Sequence, residues 1–148
     1  MKKTTIVQEL QEQGQCLIQT VGVSMEPLLH MRQNTVVLRR VDGALRKNDV
    51  VCFLRQSADS AEPEYVLHRI IKVGPDSCLI RGDNCLQNEY VENKNILGVM
   101  TGYFSGDEYI DCANDRRYRR YVRLVPFRYA ARKGKIFVKR VIRKCLKW

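Results

Sequence analysis

Short apolar segments separated by turn-forming residues dominate the chain from residue 15 to residue 103. Each segment is rich in Val, Ile, Leu and Tyr, and Gly, Asp, Asn or Pro follow most of them. β-branched and aromatic residues favour extended structure, so the pattern predicts strands over residues 16–21, 35–40, 49–54, 65–73, 77–81 and 96–103. Strands at this spacing, with little helix between them, predict a mainly β fold, either an all-β barrel or a folded sheet.

Helical spacing of apolar residues occurs at both ends of the chain. Near the start, Thr4 or Thr5 is positioned to cap a short helix that ends at Gly14. After Asp115, apolar residues recur at helical spacing as far as Pro126, which is expected to interrupt the helix. The stretch beyond Pro126 predicts a basic amphipathic helix. Its apolar positions are Phe137, Val138, Val141, Ile142, Cys145 and Leu146.

The charges divide the chain into two parts of opposite sign. The 148 residues include 26 Lys and Arg and 16 Asp and Glu, a formal net charge of +10. Residues 116–148 hold 14 of the basic residues and no acidic one, so residues 1–115, with 12 basic and 16 acidic residues, have a net charge of −4. We therefore expect a β domain over residues 1–115 that carries the chemistry and a basic helical tail over residues 116–148 that carries an attachment function.

Apolar runs are short and the cysteines are far apart. The longest apolar run covers only residues 50–54, whereas a membrane span needs roughly 18 to 20 residues and a signal-peptide core about 7 to 15. The six cysteines are at least seven residues apart, unlike those of a zinc knuckle or a redox pair. These features predict a cytoplasmic protein with reduced thiols and no metal or cofactor. A metal cluster of His68, Cys78 and Cys85 remains an alternative.

Three segments of the predicted β domain carry candidate chemistry: residues 22–27 (GVSMEP), 65–70 (YVLHRI) and 81–84 (RGDN). Each alone is typical of a turn or a strand. Together, in this order, they resemble the serine-peptidase group that contains signal peptidases and LexA-type repressors. In that group a Ser-Met pair carries the nucleophile, and a basic residue followed by Arg, on a later strand, carries the base. The resemblance covers roughly residues 15–103 and implies the folded β-sheet of that group.

The resemblance implies a catalytic role for three residues. Ser24 matches the nucleophile and His68 matches the general base, in a form similar to the endoplasmic-reticulum type of signal peptidase, where histidine replaces the more common lysine. Asp83 matches the required Asp of a Gly-Asp-Asn segment and is the expected third member. A second Asp of that pattern corresponds to Glu89, whose longer carboxylate either substitutes for it or is unrelated, so Glu89 stays outside the predicted catalytic set.

The base assignment agrees with the chemistry of histidine. A serine hydroxyl is a poor nucleophile until a base takes its proton, and an unperturbed imidazole with a pKa of about 6.5 is already mostly neutral at neutral pH. Lys72 is the competing base on the same predicted strand, but residues four apart in a strand are about 13 Å from each other. Only one of them can lie at Ser24, and the pair His68-Arg69 matches the Lys-Arg pair of the family.

Gly22 and Met25 flank the nucleophile and are predicted to lie beside the oxyanion and the substrate. Many signal peptidases have Ser two positions before the nucleophile, where its side chain donates to the oxyanion. The Gly22-Val23-Ser24-Met25 form resembles the LexA-type proteins instead, and it implies that backbone N–H groups are the donors.

These observations predict a serine endopeptidase that cleaves a peptide or a leader segment. The residues before Ser24 are polar and unlike the anchor of a signal peptidase, and neither the DNA-binding domain nor the Ala-Gly cleavage site of a LexA-type repressor is present. The expected partners are a peptide or protein substrate and, through residues 116–148, an anionic membrane surface at the inner membrane face, with nucleic acid less favoured. The alternative is a catalytically degenerate protein of this fold that binds a membrane surface or nucleic acid through the basic tail.

Overall fold

A computed structural model describes residues 5–147 and has a mainly β architecture with one helix at each end, which confirms the predicted fold class. Thr4 and Trp148, which belong to the predicted first helix and tail, lie outside the described residues. The elements are α1 (Ile6–Gln13), β1 (Gln15–Gln19), β2 (Asn34–Arg40), β3 (Val50–Arg55), β4 (Glu64–Val73), β5 (Ser77–Arg81), β6 (Glu89–Glu92), a 3-10 turn (Asn93–Asn95), β7 (Ile96–Ser105), β8 (Glu108–Asp111) and α2 (Arg116–Cys145).

The eight strands form one antiparallel sheet in the order β1-β2-β7-β3-β4-β5-β6, and β8 pairs with β7. Among residues 5–147 the end strands β1 and β6 do not pair with each other, so the sheet is folded and open rather than closed. The long strand β7 pairs with β2 on one edge, and on the other edge first with β3 and then with β8. Two apolar clusters fill the folded sheet, one around Val36 and Leu38 and one around Phe53 and Ile70.

Helix α1 begins and ends at the residues that the sequence predicts. Thr5 is the N-cap and forms a capping box with Gln8, and Gly14 ends the helix with a left-handed φ of 73°. Leu10 is 2% exposed and anchors the helix in the apolar cluster under β2.

Helix α2 is continuous through Pro126, which corrects the predicted interruption. Pro126 is exposed, and the body of the protein, meaning the β domain of residues 5–115, holds the helix on both sides of it. Val125 is buried before the proline, and the Tyr129 hydroxyl donates to the Leu86 carbonyl (3.3 Å) after it. These contacts offset the lost backbone hydrogen bond. Within residues 5–147, neither helix combines the length and the apolar character that crossing a bilayer requires.

Candidate active site

A cavity of about 1250 Å³ opens between the unpaired edges of β1 and β4. Within residues 5–147, β1 pairs only with β2, and residues 64–68 of β4 pair only with β3, since the pairing with β5 begins at Arg69. Residues 18–22 and residues 64–68 both line the cavity. Two unpaired strand edges therefore face one space that also contains the candidate catalytic side chains.

Ser24 lies in the turn after β1, half-buried, on the wall of this cavity. The loop after β5 holds the turn in place, because Asn84 donates its backbone N–H to the Ser24 carbonyl (2.8 Å) and its side-chain amide to the Val23 carbonyl (2.9 Å). The Ser24 hydroxyl and the backbone N–H groups of Ser24 and Met25 make no hydrogen bond to any residue from 5 to 147. These three groups remain available to a bound molecule.

His68 lies in the middle of β4, opposite Val51 of β3, and is 5% exposed. Its Nδ1 is 2.9 Å from Glu89 Oε1, at the start of β6. With Glu89 ionised, Nδ1 carries the proton and donates it to this hydrogen bond, so Nε2 is left as an acceptor. His68 Nε2 lies 3.0 Å, and the Ser24 carbonyl oxygen 2.6 Å, from the position that a Cβ on Gly82 would occupy. The backbone carbonyl of Ser24 and Nε2 of His68 therefore both border the small space above Gly82.

Burial lowers the pKa of His68 below its usual value of 6.5. The ionised Glu89 opposes this effect and the Arg55 guanidinium adds to it, and the net shift is downward. Arg55 also binds Glu89 directly, with Nε 3.1 Å from Oε2. The imidazole is thus neutral at neutral pH, the form that can accept a proton from a serine.

Asp83 is not the partner of His68, which corrects the sequence prediction. Its carboxylate binds the Arg69 guanidinium through two hydrogen bonds of 2.8 and 2.7 Å, and it accepts a third from the Tyr121 hydroxyl (3.0 Å). The Asp83 side chain is 2% exposed and that of Arg69 is fully buried. The physical reason is strand alternation, since His68 and Arg69 are consecutive in β4 and point to opposite faces of the sheet. Asp83 ties β4, the turn after β5 and α2 together.

Of the remaining predicted residues, two line the cavity and one does not. Gly22, with a left-handed φ of 81°, and Met25, 5% exposed, both line the cavity beside Ser24. Lys72 is exposed near the end of β4, pairs in register with Leu79 and does not line the cavity.

The alternative metal cluster is not formed in the part of the chain from 5 to 147, where no group of three potential ligands occurs. The Cys78 thiol is buried and binds the Asn93 side chain (3.2 Å), away from His68. Cys85 does lie at the site, because its Sγ is 2.7 Å from the Cβ position of Gly82.

Three site residues were missed or left open by sequence reasoning: Glu89, Arg55 and Arg132. Glu89 occupies the place predicted for Asp83, and its position six residues beyond Asp83 was the available signal. Arg132 of α2 donates to the Asp83 carbonyl (3.1 Å) and lines the cavity, so the helix borders the site.

Comparison with protein-family models, curated proteins and solved structures finds no match to this chain.

Proposed function

We propose that the protein is a serine endopeptidase in which Ser24 is the nucleophile, His68 the general base and Glu89 the carboxylate that orients His68. The observation that carries this proposal is the His68–Glu89 hydrogen bond (2.9 Å), which directs the free Nε2 towards the turn of Ser24. A nucleophile, a base and an orienting carboxylate beside one cavity are the parts that acyl transfer needs.

In the proposed reaction, Nε2 of His68 takes the proton from the Ser24 hydroxyl while Oγ attacks the carbonyl carbon of the scissile peptide. The unpaired N–H groups of Ser24 and Met25 are candidate donors to the oxyanion that forms. The imidazolium, stabilised by Glu89, then gives its proton to the leaving amine. Water hydrolyses the resulting acyl-enzyme, with His68 again acting as the base. The Ser24 hydroxyl is not hydrogen-bonded to His68, and catalytic hydrogen bonds are often long before substrate binds.

The shape of the cavity favours an extended peptide as substrate. One edge of β1 and one edge of residues 64–68 in β4 present backbone N–H and C=O groups that have no strand partner in the described part of the chain. An extended peptide between them would pair its main chain with one edge or both. Apolar side chains line both walls, so we propose small or apolar side chains next to the cleaved bond. The apolar residues that line the cavity include Ile18, Val21, Met25, Leu29, Val66 and Leu67.

The alternative, a degenerate scaffold that binds nucleic acid through its Arg-Tyr segments, has less support. Stacking on bases needs exposed aromatic rings. Tyr118 is 8% exposed, and the hydroxyls of Tyr121 and Tyr129 are bound to Asp83 and to the Leu86 carbonyl. These rings are part of the helix–body contact.

The test is cleavage of a diverse peptide mixture, with products identified by mass spectrometry. Wild-type protein is expected to generate new termini flanked by small or apolar residues, and Ser24→Ala is expected to generate none. Ser105→Ala, a change at an exposed serine at the end of β7, is the matched control and should cleave as wild type does. Equal cleavage by wild type and Ser24→Ala would contradict the proposal, because the activity would then come from elsewhere.

A further inference from the structure

Helix α2 has two opposite faces, and each repeats every three or four residues. The inner face consists of residues that are buried or half-buried: Tyr118, Val122, Val125, Tyr129, Arg132 and Ile136. The outer face is offset from it by two residues, about 200° around the helix axis. It consists of Arg116, Arg120, Arg123, Phe127, Ala131, Gly134, Val138, Val141 and Cys145, all of them exposed.

The outer face changes character along the helix. Its first two turns are cationic, with Arg116, Arg120 and Arg123. From Phe127 onward it is apolar, and Phe137 and Ile142 widen the apolar stripe at its flanks. The exposed fractions of Phe127, Phe137, Val138, Val141 and Ile142 are 72%, 69%, 53%, 44% and 50%. The apolar stripe therefore does not pack on the β domain.

From the charge and the apolar stripe together, we infer that the outer face of α2 docks on an anionic phospholipid bilayer and lies in its interface. Residues 116–147 hold 14 Lys and Arg and no acidic residue, so this segment is complementary to anionic headgroups. Apolar residues on one face with basic residues beside and behind them are the pattern of an interfacial helix. The arginines at the start of the face would bind lipid phosphates while the stripe enters the acyl region.

Two other occupants fit this face less well. A second copy would bring an equally basic helix against the first, and like charges at an interface are unfavourable. Nucleic acid would match the charge, and Phe127 and Phe137 could stack on bases, but the aliphatic part of the stripe, Val138, Val141 and Ile142, would be left exposed.

The experiment is flotation of the full-length protein with vesicles of equal parts phosphatidylcholine and phosphatidylglycerol, compared with phosphatidylcholine alone. Wild-type protein is expected to float with the anionic vesicles, less as salt rises, and not with the neutral ones. Phe127→Gln with Phe137→Gln keeps both the charge and a good helix former, and should weaken binding by at least about tenfold because two phenylalanine side chains no longer insert. Tyr90→Gln, at an aromatic residue on β6 that is 79% exposed, is the control and should bind like wild type.

A second pair of variants tests which face meets the membrane. Arg120→Gln with Arg123→Gln removes two charges from the outer face, and Lys139→Gln with Arg143→Gln removes two from the opposite side. The first pair should weaken binding more than the second, because only the outer arginines reach the phosphates.

Several results would overturn the inference. They are unchanged binding by the phenylalanine variant, equal losses for the two arginine and lysine pairs, no binding at low salt, or binding to single-stranded nucleic acid without binding to vesicles. A dimer that forms without vesicles, and that the phenylalanine variant abolishes, would overturn it as well.

Membrane docking requires no catalysis, so Ser24→Ala protein should bind vesicles as wild type does. This result separates failure of the membrane inference from failure of the proposed peptidase activity.

Discussion

Burial and the neighbouring Glu89 carboxylate shift the pKa of the His68 imidazole in opposite directions. The ring packs edge-on against Phe53, with centroids 5.9 Å apart, and Glu89 binds its Nδ1. Desolvation lowers the pKa of the ring, while the Glu89 carboxylate raises it. Arg55 weakens the effect of Glu89, since it is a cation near His68 and also binds the same carboxylate. Arg55 is therefore a positioning residue for the proposed base.

The pH dependence of peptide cleavage follows from this arrangement. Protonated His68 cannot accept the serine proton, so activity should be present above the pKa of His68 and be lost as the pH falls through it, at a value below 6.5. Arg55→Gln removes a cation that lowers this pKa, so it should move the acid limb of kcat/KM to higher pH. Arg39→Gln, at an exposed arginine of β2, is the control and should leave the limb in place. A limb that appears only above about pH 8 would indicate a lysine base.

Gly82 is the residue at which the site has no room for a side chain. A Cβ there would lie 2.6 Å from the Ser24 carbonyl oxygen and 3.0 Å from His68 Nε2, so the turn of Ser24 or the imidazole would have to move. Gly82→Ala should lower kcat/KM by about a hundredfold, because displacements near 1 Å have effects of that size. Gly43→Ala meets nothing within 4 Å and should be silent. Full activity of the Gly82 variant would show that cleavage does not depend on the positions of the Ser24 turn and the His68 imidazole around Gly82.

The sequence identifies the residues of the site better than it identifies their partners. Ser24 and His68 could be proposed from their motifs, and the structure brings both to one cavity. The sequence pointed to Asp83 rather than Glu89 as the partner of His68, and this was wrong, because both carboxylates follow β5 and the sequence does not show which of them reaches the imidazole. The pairing depends on Arg69, which points away from His68 and takes Asp83 into a buried ion pair.

Among the elements, α2 differs most from the expectation of a separate tail. Its first half is fixed to the body by aromatic and polar contacts, with Tyr118 packed against Tyr103 (centroids 6.4 Å apart) and the Tyr121 hydroxyl on Asp83. Sequence spacing suggested only one apolar face in each half of the helix. It did not reveal that the body takes the inner face and leaves the outer one exposed, because this depends on tertiary contacts.

The hydroxyl of Tyr121 tests how strongly α2 is held. It donates to the buried Asp83 carboxylate at 3.0 Å, and hydrogen bonds to charged groups contribute about 1.5 to 3 kcal/mol. Tyr121→Phe should lower the free energy of unfolding by roughly that amount in urea denaturation. Tyr90→Phe, at a tyrosine that is 79% exposed, should change it by less than about 0.5 kcal/mol. If the two variants were equally stable, α2 would not be fixed through Asp83.

Six of the eight strands were predictable and two were not, for a physical reason. β6 and β8 have four residues each, with sequences EYVE and EYID, and in each only one side chain is buried. Such segments bury too little apolar surface to show a pattern, and they are strands because β5 and β7 offer them an edge.

At the scale of the whole molecule, an open sheet and a basic helix meet at one cavity. The sheet leaves the edges of β1 and β4 free above Ser24 and His68, and α2 closes one side through Arg132. The separation of charge along the chain predicted two regions with different roles. It could not predict that the basic region also forms part of the wall of the site, since the Arg132 contact joins residues 49 positions apart.

The most direct measurement of the central claim is the rate at which a fluorophosphonate labels Ser24, followed by intact-protein mass spectrometry. Labelling needs an activated serine and no knowledge of the substrate. Wild-type protein should form one adduct, mapped to Ser24. His68→Ala and Glu89→Gln should each slow labelling by at least about a hundredfold, because they remove the base and its orienting carboxylate. Asp83→Asn should reduce stability but, where folded, label within a few-fold of wild type. Labelling of Ser24 that is unaffected by Glu89→Gln but abolished in folded Asp83→Asn, or no labelling of Ser24 at all, would contradict the account.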